Sequence, residues 1–147
     1  MDFDTTVKMH IYETIAQKTH PPTTFEVAQA TGAPLSEVEA AFARLHQKRL
    51  LVPEPDDPSR IRMAPPFSGI ETPFKVRVAG KVYYANCAWD ALGIPAALQS
   101  DGNVETGDLQ TGEPIRLEVR GGKPVLEPCV IHFAVPAAKW WADIVYT

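Results

Sequence analysis

Only two cysteines, Cys87 and Cys129, occur among the 147 residues, and they form no C-x-x-C pair. That excludes a disulfide framework and argues against a structural zinc site, which needs clustered thiolates or imidazoles. No apolar run approaches the roughly 20 residues of a membrane helix. The opening Met1-Asp2-Phe3-Asp4 is acidic and lacks the basic and then apolar regions of a signal peptide. The expectation is a cytoplasmic protein without a membrane partner, its cysteines present as thiols. Excess positive charge is also missing. The formal net charge is −4, which leaves no electrostatic footprint for nucleic acid or anionic lipid. There is no phosphate-cradling glycine motif, no internal repeat and no low-complexity tract. Gly121-Gly122 reads as a turn.

Proline, by contrast, is plentiful. Its 14 copies cluster in connections: Pro21-Pro22, Pro53 to Pro58, Pro65-Pro66 and Pro73. Short elements separated by stiff turns are implied. The length suffices for one compact domain or two small ones sharing a core.

In residues 4–18, Val7, Ile11 and Ile15 fall on one helical face with Tyr12 beside them. Pro21-Pro22 stops that helix. Thr23 or Thr24 can cap a second, Phe25 to Ala30, ending at Gly32. Ser36, with Glu39 three residues on, suggests a capping box for a third helix whose buried stripe is Val38, Phe42 and Leu45. Leu50 to Val52 and Arg60 to Met63 read as short strands. Three helices and a hairpin make a winged-helix pattern over residues 1–66. Its third helix carries Arg44, Lys48 and Arg49 but also Glu37 and Glu39, and residues 1–63 hold seven basic against nine acidic side chains. A structural role is expected for this half, with no nucleic-acid partner.

Pro65 to Pro73 reads as a linker. Beyond it the period changes to two: Phe74, Val76 and Val78 alternate with Lys75, Arg77 and Ala79, Gly80 turns the chain, and Val82-Tyr83-Tyr84 returns. Residues 86–98 read as a short helix with possible breaks at Gly93 or Pro95. Val104 to Thr106, Ile115 to Val119 and Cys129 to Val135 are strand candidates, and Pro136 to Ile144 a short helix in which Trp140 and Trp141 pack onto the sheet. The fold class is α+β: a winged-helix-like helical domain over 1–66, then a small, mostly antiparallel sheet domain with short helices over 74–147.

The chemistry concentrates in Val82-Tyr-Tyr-Ala-Asn-Cys87-Ala-Trp-Asp90-Ala-Leu-Gly-Ile-Pro95, which runs from a strand directly into a helix. Cys87 falls at the helix start, where free N–H groups and the macrodipole favour a thiolate. Asp90 lies one turn on and can exchange a proton with it. On spacing alone the commoner reading is a core cysteine and a helix-favouring aspartate, because C-x-x-D is a weak motif. His132, on a predicted strand beside Phe133, reads as a hydrogen-bonded core residue, and His10, His20 and His46 are scattered.

The segment Val82 to Leu98 resembles the active-site segment of the alkylmercury (organomercurial) lyases, in which a tyrosine-containing strand leads into Cys-x-x-Asp and an apolar stretch with proline. Gly102 to Leu117, with Thr111-Gly112-Glu113-Pro114, is similar to the next turn and strand. Glu127-Pro128 and Ala134-Val135-Pro136 are similar to the strand after that, and the first half to the family's helical domain. The resemblance implies that Cys87 is the first catalytic cysteine and a mercury ligand, and that Asp90 is the catalytic aspartate. Cys129 is a second candidate mercury ligand, but it precedes the strand that the family's second cysteine follows. The match runs through Trp140 to Tyr146-Thr147, so that cysteine, or a selenocysteine, is expected immediately after Thr147. A further family cysteine, of structural type, would fall near Asp108, where this sequence has none.

The implied reaction is protonolysis of a carbon–mercury bond. Mercury is a soft cation that prefers thiolates. Cys87 attacks R–Hg⁺, a second thiol or selenol joins and passes its proton to Asp90, and Asp90 protonates the departing carbon. Mercury is substrate and product, and no cofactor is implied. The partners are an organomercurial small molecule and low-molecular-weight thiols that remove the metal. Tyr83, Tyr84 and Trp89 are candidates for an apolar wall. With Cys87 alone the chain would bind an organomercurial and cleave it poorly, so enzymatic activity stays open at this point. Two other readings compete: a non-enzymatic winged-helix module binding a soft metal as sensor or chaperone, and a pseudo-enzyme serving protein contacts.

Overall fold

The computed structural model describes residues 1–125 and 129–145. Three helices come first. Helix α1 (Phe3–Lys18) starts where Asp2 accepts the Thr5 N–H at 2.8 Å, and it buries Val7, Ile11 and Ile15. Helix α2 (Thr24–Thr31) opens on a capping box: the Thr23 hydroxyl accepts the Glu26 N–H, and the Glu26 carboxylate accepts the Thr23 N–H at 2.7 Å. Helix α3 (Leu35–Gln47) buries Val38, Ala41, Phe42 and Leu45. The cap expected of Ser36 is not formed. Extended Pro34 takes the N-cap position, so the helix begins two residues earlier and Ser36 lies inside its first turn without a capping role.

The basic residues of α3 are already engaged. Asp4 of α1 receives Arg44 through two nitrogens, the shorter bond 2.7 Å, and Lys48 at 3.2 Å. These pairs clamp α1 to α3 and occupy two of the three cations that could have met a phosphate backbone.

A three-stranded antiparallel sheet follows, in the order β1 (Val52–Pro53), β2 (Ile61–Ala64), β3 (Phe67–Ser68). The third strand lies inside the segment read as a linker. Phe67 is buried between the rings of Tyr12 and Tyr83, at centroid distances of 6.2 and 5.6 Å. A large aromatic flanked by prolines escapes pattern reading because it buries through tertiary packing, without local periodicity.

The second sheet is five-stranded and antiparallel, in the order β5 (Lys81–Tyr84), β4 (Lys75–Val78), β6 (Gly102–Gly107), β7 (Pro114–Arg120), β8 (Lys123–Val125). Its strands alternate as their period of two requires: Val76, Val78, Val104, Leu117 and Val119 are buried, while Arg77, Asn103 and Glu118 face water. Helix α4 (Ala88–Ala97) lies on the buried face and runs unbroken through Gly93 and Pro95. Contact with the sheet explains Gly102, where an added Cβ would sit 2.7 Å from the Pro95 ring and 2.9 Å from Val78. The fold is thus α+β. One buried cluster runs from Val7 of α1 through Phe67 to Ile94 and Leu117, so both halves of the sequence contribute to the same core.

The strand expected over Cys129 to Val135 is not present. Residues 129–135 pair with no strand among the described residues, and the hairpin partner of β7 is β8, reached through the turn at Gly121-Gly122. His132, expected in the core, is accordingly exposed. The short helix expected over Pro136 to Ile144 is present as a 3-10 helix, Ala137–Ala142. Glu127-Pro128 and Tyr146-Thr147 lie outside the described residues.

Candidate active site

The junction of β5 and α4 builds the site. Ala85 is fully buried and bridges to Phe67 of β3, which fixes the chain as it leaves the sheet. Asn86 and Cys87 follow, and Cys87, in extended conformation, is the N-cap of α4. A thiol thus stands where a hydroxyl or carboxylate usually caps. Its Sγ accepts the backbone N–H of Asp90 at 3.5 Å, and its carbonyl accepts the Ala91 N–H at 2.9 Å. Cys87 and Asp90 therefore share the first helical turn, as their spacing required. Both are half-buried.

Asp90 is held from a second direction. The Asn86 amide Nδ2 donates to its Oδ2 at 3.0 Å and also reaches the carbonyls of Phe67 and Pro66, at 3.2 and 3.4 Å. Tyr12 completes the surroundings: its hydroxyl donates to the Pro65 carbonyl at 2.7 Å. Burial, and after it the charge of Asp90, push the Tyr12 hydroxyl up to about 12, so it stays a neutral donor throughout the physiological range.

The electrostatics modify the expectation of a ready thiolate. Burial pushes the Cys87 thiol above its ordinary value. The Asp90 N–H acts the other way but is outweighed, and the Asp90 carboxylate adds to the rise. Burial also raises the Asp90 carboxyl, which the hydrogen bonds from Asn86 and Cys87 partly offset. Scarcity of water raises both groups, but the pair is asymmetric: the Asp90 charge disfavours a Cys87 thiolate, whereas the Cys87 thiol, as a hydrogen-bond donor, favours the ionised Asp90. Such a pair stores a proton and releases it when a soft cation takes the sulfur.

Above the pair lies a cavity of about 280 Å³. Its floor is Asn86, Cys87 and Asp90, its walls include Met63 and Pro65, and its far side is Phe133, Trp140, Trp141 and Ile144. The Trp140 ring packs against Phe133 with centroids 5.0 Å apart, and its indole N–H donates to the Val135 carbonyl at 2.7 Å. The Arg49 guanidinium lies over the Trp141 ring, 5.8 Å from its centroid. The aromatic wall therefore differs from the expected one. Tyr83 is core, its hydroxyl bonded to the Ala16 carbonyl; Tyr84 reaches Glu71; and Trp89 is 66% exposed. Trp140 and Trp141, expected to pack on the sheet, line the same cavity as Cys87. Sequence reasoning also passed over Asn86, Tyr12 and Arg49 as neighbours of the site. Asn86, adjacent to Cys87, was the one with a local signal.

Cys129 is exposed and does not line the cavity. Among the described residues, no three His, Cys, Asp or Glu side chains gather as metal ligands.

Comparison with known proteins gives this geometry a context. The family model described as MerB, alkylmercury lyase, matches residues 67–147. The chain belongs to the alkylmercury lyase family. The matched stretch contains Cys87, Asp90 and the tryptophan-bearing segment over them. Alkylmercury lyases of Bacillus cereus and Clostridium butyricum are each 35% identical to this chain over 94 residues, 64% of its length. The chain spans 40% of the length of these two curated relatives. Among solved structures, the mercury-bound form of MerB2 matches 86% of this chain and 60% of its own, with a TM-score of 0.67 and 25% identity. The helical half is therefore shared as well, since a match of that extent reaches beyond the family-model segment.

Proposed function

We propose that this chain performs organomercurial chemistry of the lyase type: capture of R–Hg⁺ by Cys87 and protonolysis of the carbon–mercury bond with Asp90 as proton carrier. The observation that carries the reading is the placement of a thiol and a carboxyl on one helical turn, beneath an aromatic cavity of a size for a small apolar group. Family membership supports it.

The Asp90 carboxylate accepts the Cys87 proton. The resulting thiolate bonds to mercury, and the bond to sulfur raises electron density on the mercury-bound carbon. That carbon takes the proton from Asp90 as the carbon–mercury bond breaks, both electrons going to carbon. The sum is R–Hg⁺ plus Cys87–SH giving R–H plus Cys87–S–Hg⁺. A second soft donor fills mercury's remaining linear position, and small thiols carry the metal away. Exposed Cys129 is a poor candidate for that donor. A cysteine or selenocysteine encoded directly after Thr147 remains part of this proposal, and reading that codon tests it. The absence of a nucleic-acid role is also proposed; it is supported by the engagement of Arg44 and Lys48 with Asp4.

The test is to incubate the chain, and a version extended by cysteine and the native tail, with phenylmercury or methylmercury. Benzene or methane release, lost in Cys87→Ser, is the expected result. Tight mercury binding without hydrocarbon from either version would instead favour a soft-metal sensor or chaperone.

A further inference from the structure

We propose that Asn86 is a positioning residue for the proton carrier: its carboxamide anchors the Asp90 carboxylate to the backbone of β3 and keeps it turned toward Cys87. This rests on reading Cys87 and Asp90 as the reactive pair.

The hydrogen-bond inventory of the amide supports the assignment. Its nitrogen faces three groups, the Asp90 carboxylate and the carbonyls of Pro66 and Phe67, and all three can only accept when Asp90 is ionised. The orientation of the amide is thereby determined, since the reverse would set an oxygen against three acceptors. The consequence is an unsatisfied group: Asn86 Oδ1 is buried and has no partner among the described residues. Buried acceptors without partners are uncommon and costly. This one is tolerated because the same side chain aims its N–H groups at a half-buried carboxylate. Neighbouring side-chain types do not reproduce the arrangement. Aspartate has no donor when ionised, serine has a single one, and glutamine is longer by a methylene.

The location also suits the role. Asn86 borders the cavity beside Cys87. Through the Pro66 and Phe67 carbonyls it is braced by the same segment whose Pro65 carbonyl receives the Tyr12 hydroxyl. One end of the brace is thereby linked through Pro65 to Tyr12 of α1, and the other holds Asp90 in the first turn of α4. Donation to Asp90 Oδ2 favours the ionised form, opposing the burial that raises its pKa. The residue thus fixes the direction in which the Asp90 carboxylate points.

The test is a titration that needs no mercury compound. In the unmodified protein, the Asn86 side-chain amide resonances, followed by nitrogen-15 NMR, should move with the Asp90 carboxyl carbon at one common midpoint. That movement should vanish in Asp90→Asn. In Asn86→Ala the Asp90 midpoint should rise by about one pH unit, the shift expected on losing a hydrogen bond to a charged group, with Asn86→Ser in between. A purely structural asparagine would alter thermal stability and leave the midpoint in place. Amide resonances that stay flat while Asp90 titrates, or an unmoved midpoint in a folded Asn86→Ala protein, would overturn the inference. Should Asn86→Ala not fold, the titration of the unmodified protein decides. Coupled titration without hydrocarbon release would retain Asn86 and sink the lyase reading; release with uncoupled titration would do the reverse.

Discussion

The sulfur of Cys87 caps the helix that carries Asp90, accepting the Asp90 backbone N–H at 3.5 Å. One covalent turn thus sets the distance between nucleophile and proton carrier, leaving it independent of loop motion. Their side chains share a half-buried environment that raises both pKa values, and the Asp90 charge raises that of Cys87 further.

A stability consequence follows for Asp90. Its folded pKa lies above its unfolded value, so the stability linked to its proton is fully present below the unfolded pKa. That stability is lost as pH rises through the folded one. At neutral pH the native protein carries a buried charge that Asp90→Asn lacks. The substitution should therefore raise the unfolding temperature at pH 7, with the advantage shrinking to nothing in acid. It should also reduce hydrocarbon release about 100-fold or more. Thermal melts from pH 3 to 8, paired with product assays, check both; a variant less stable than the parent at pH 7 would contradict the argument.

Cys87 and Cys129 should behave very differently. Replacing Cys129 by Ser should leave phenylmercury capture unchanged, because that thiol is exposed and outside the cavity. Replacing Cys87 by Ser should remove capture in the cavity. Mercury stoichiometry by mass spectrometry in the presence of competing glutathione distinguishes the two. Loss of capture in Cys129→Ser would show that it is the second donor.

Trp141 roofs the cavity and holds the Arg49 guanidinium over its face. Trp141→Ala should weaken retention of phenylmercury by about tenfold, the order expected for losing one aromatic contact face. It should also speed alkylation of Cys87 by iodoacetamide. The effect on methylmercury should be smaller, since a methyl group touches less of the wall. Equal effects on the two substrates would argue against an aromatic wall selecting for size.

Tyr12→Phe deletes the hydroxyl that donates to Pro65 at 2.7 Å while keeping the ring against Phe67. The expected loss is about 1 kcal/mol of stability, measurable by urea titration. Because Tyr12 ionises only near pH 12, its removal should leave the pH profile below 9 unaltered. A change in that profile would mean that the phenol takes part in proton transfer.

Much of this arrangement was legible from the chain alone. The stripe Val7, Ile11, Ile15 and the alternation of Val76 and Val78 are local periodicities that dictate which face is buried. The spacing of Cys87 and Asp90, once on a helix, dictates that they meet. What the sequence by itself determined was therefore short-range: elements, their inward faces, and a reactive pair one turn apart. Tertiary structure decided the rest. Phe67 became core because Tyr12 and Tyr83 close on it, and Trp140 and Trp141 came to line the cavity with Cys87 while Trp89 was left outside. Burial raised the Cys87 thiol against the pull of its own helix. Each of these depends on which distant side chains exclude water from a site, and no spacing along the chain encodes that.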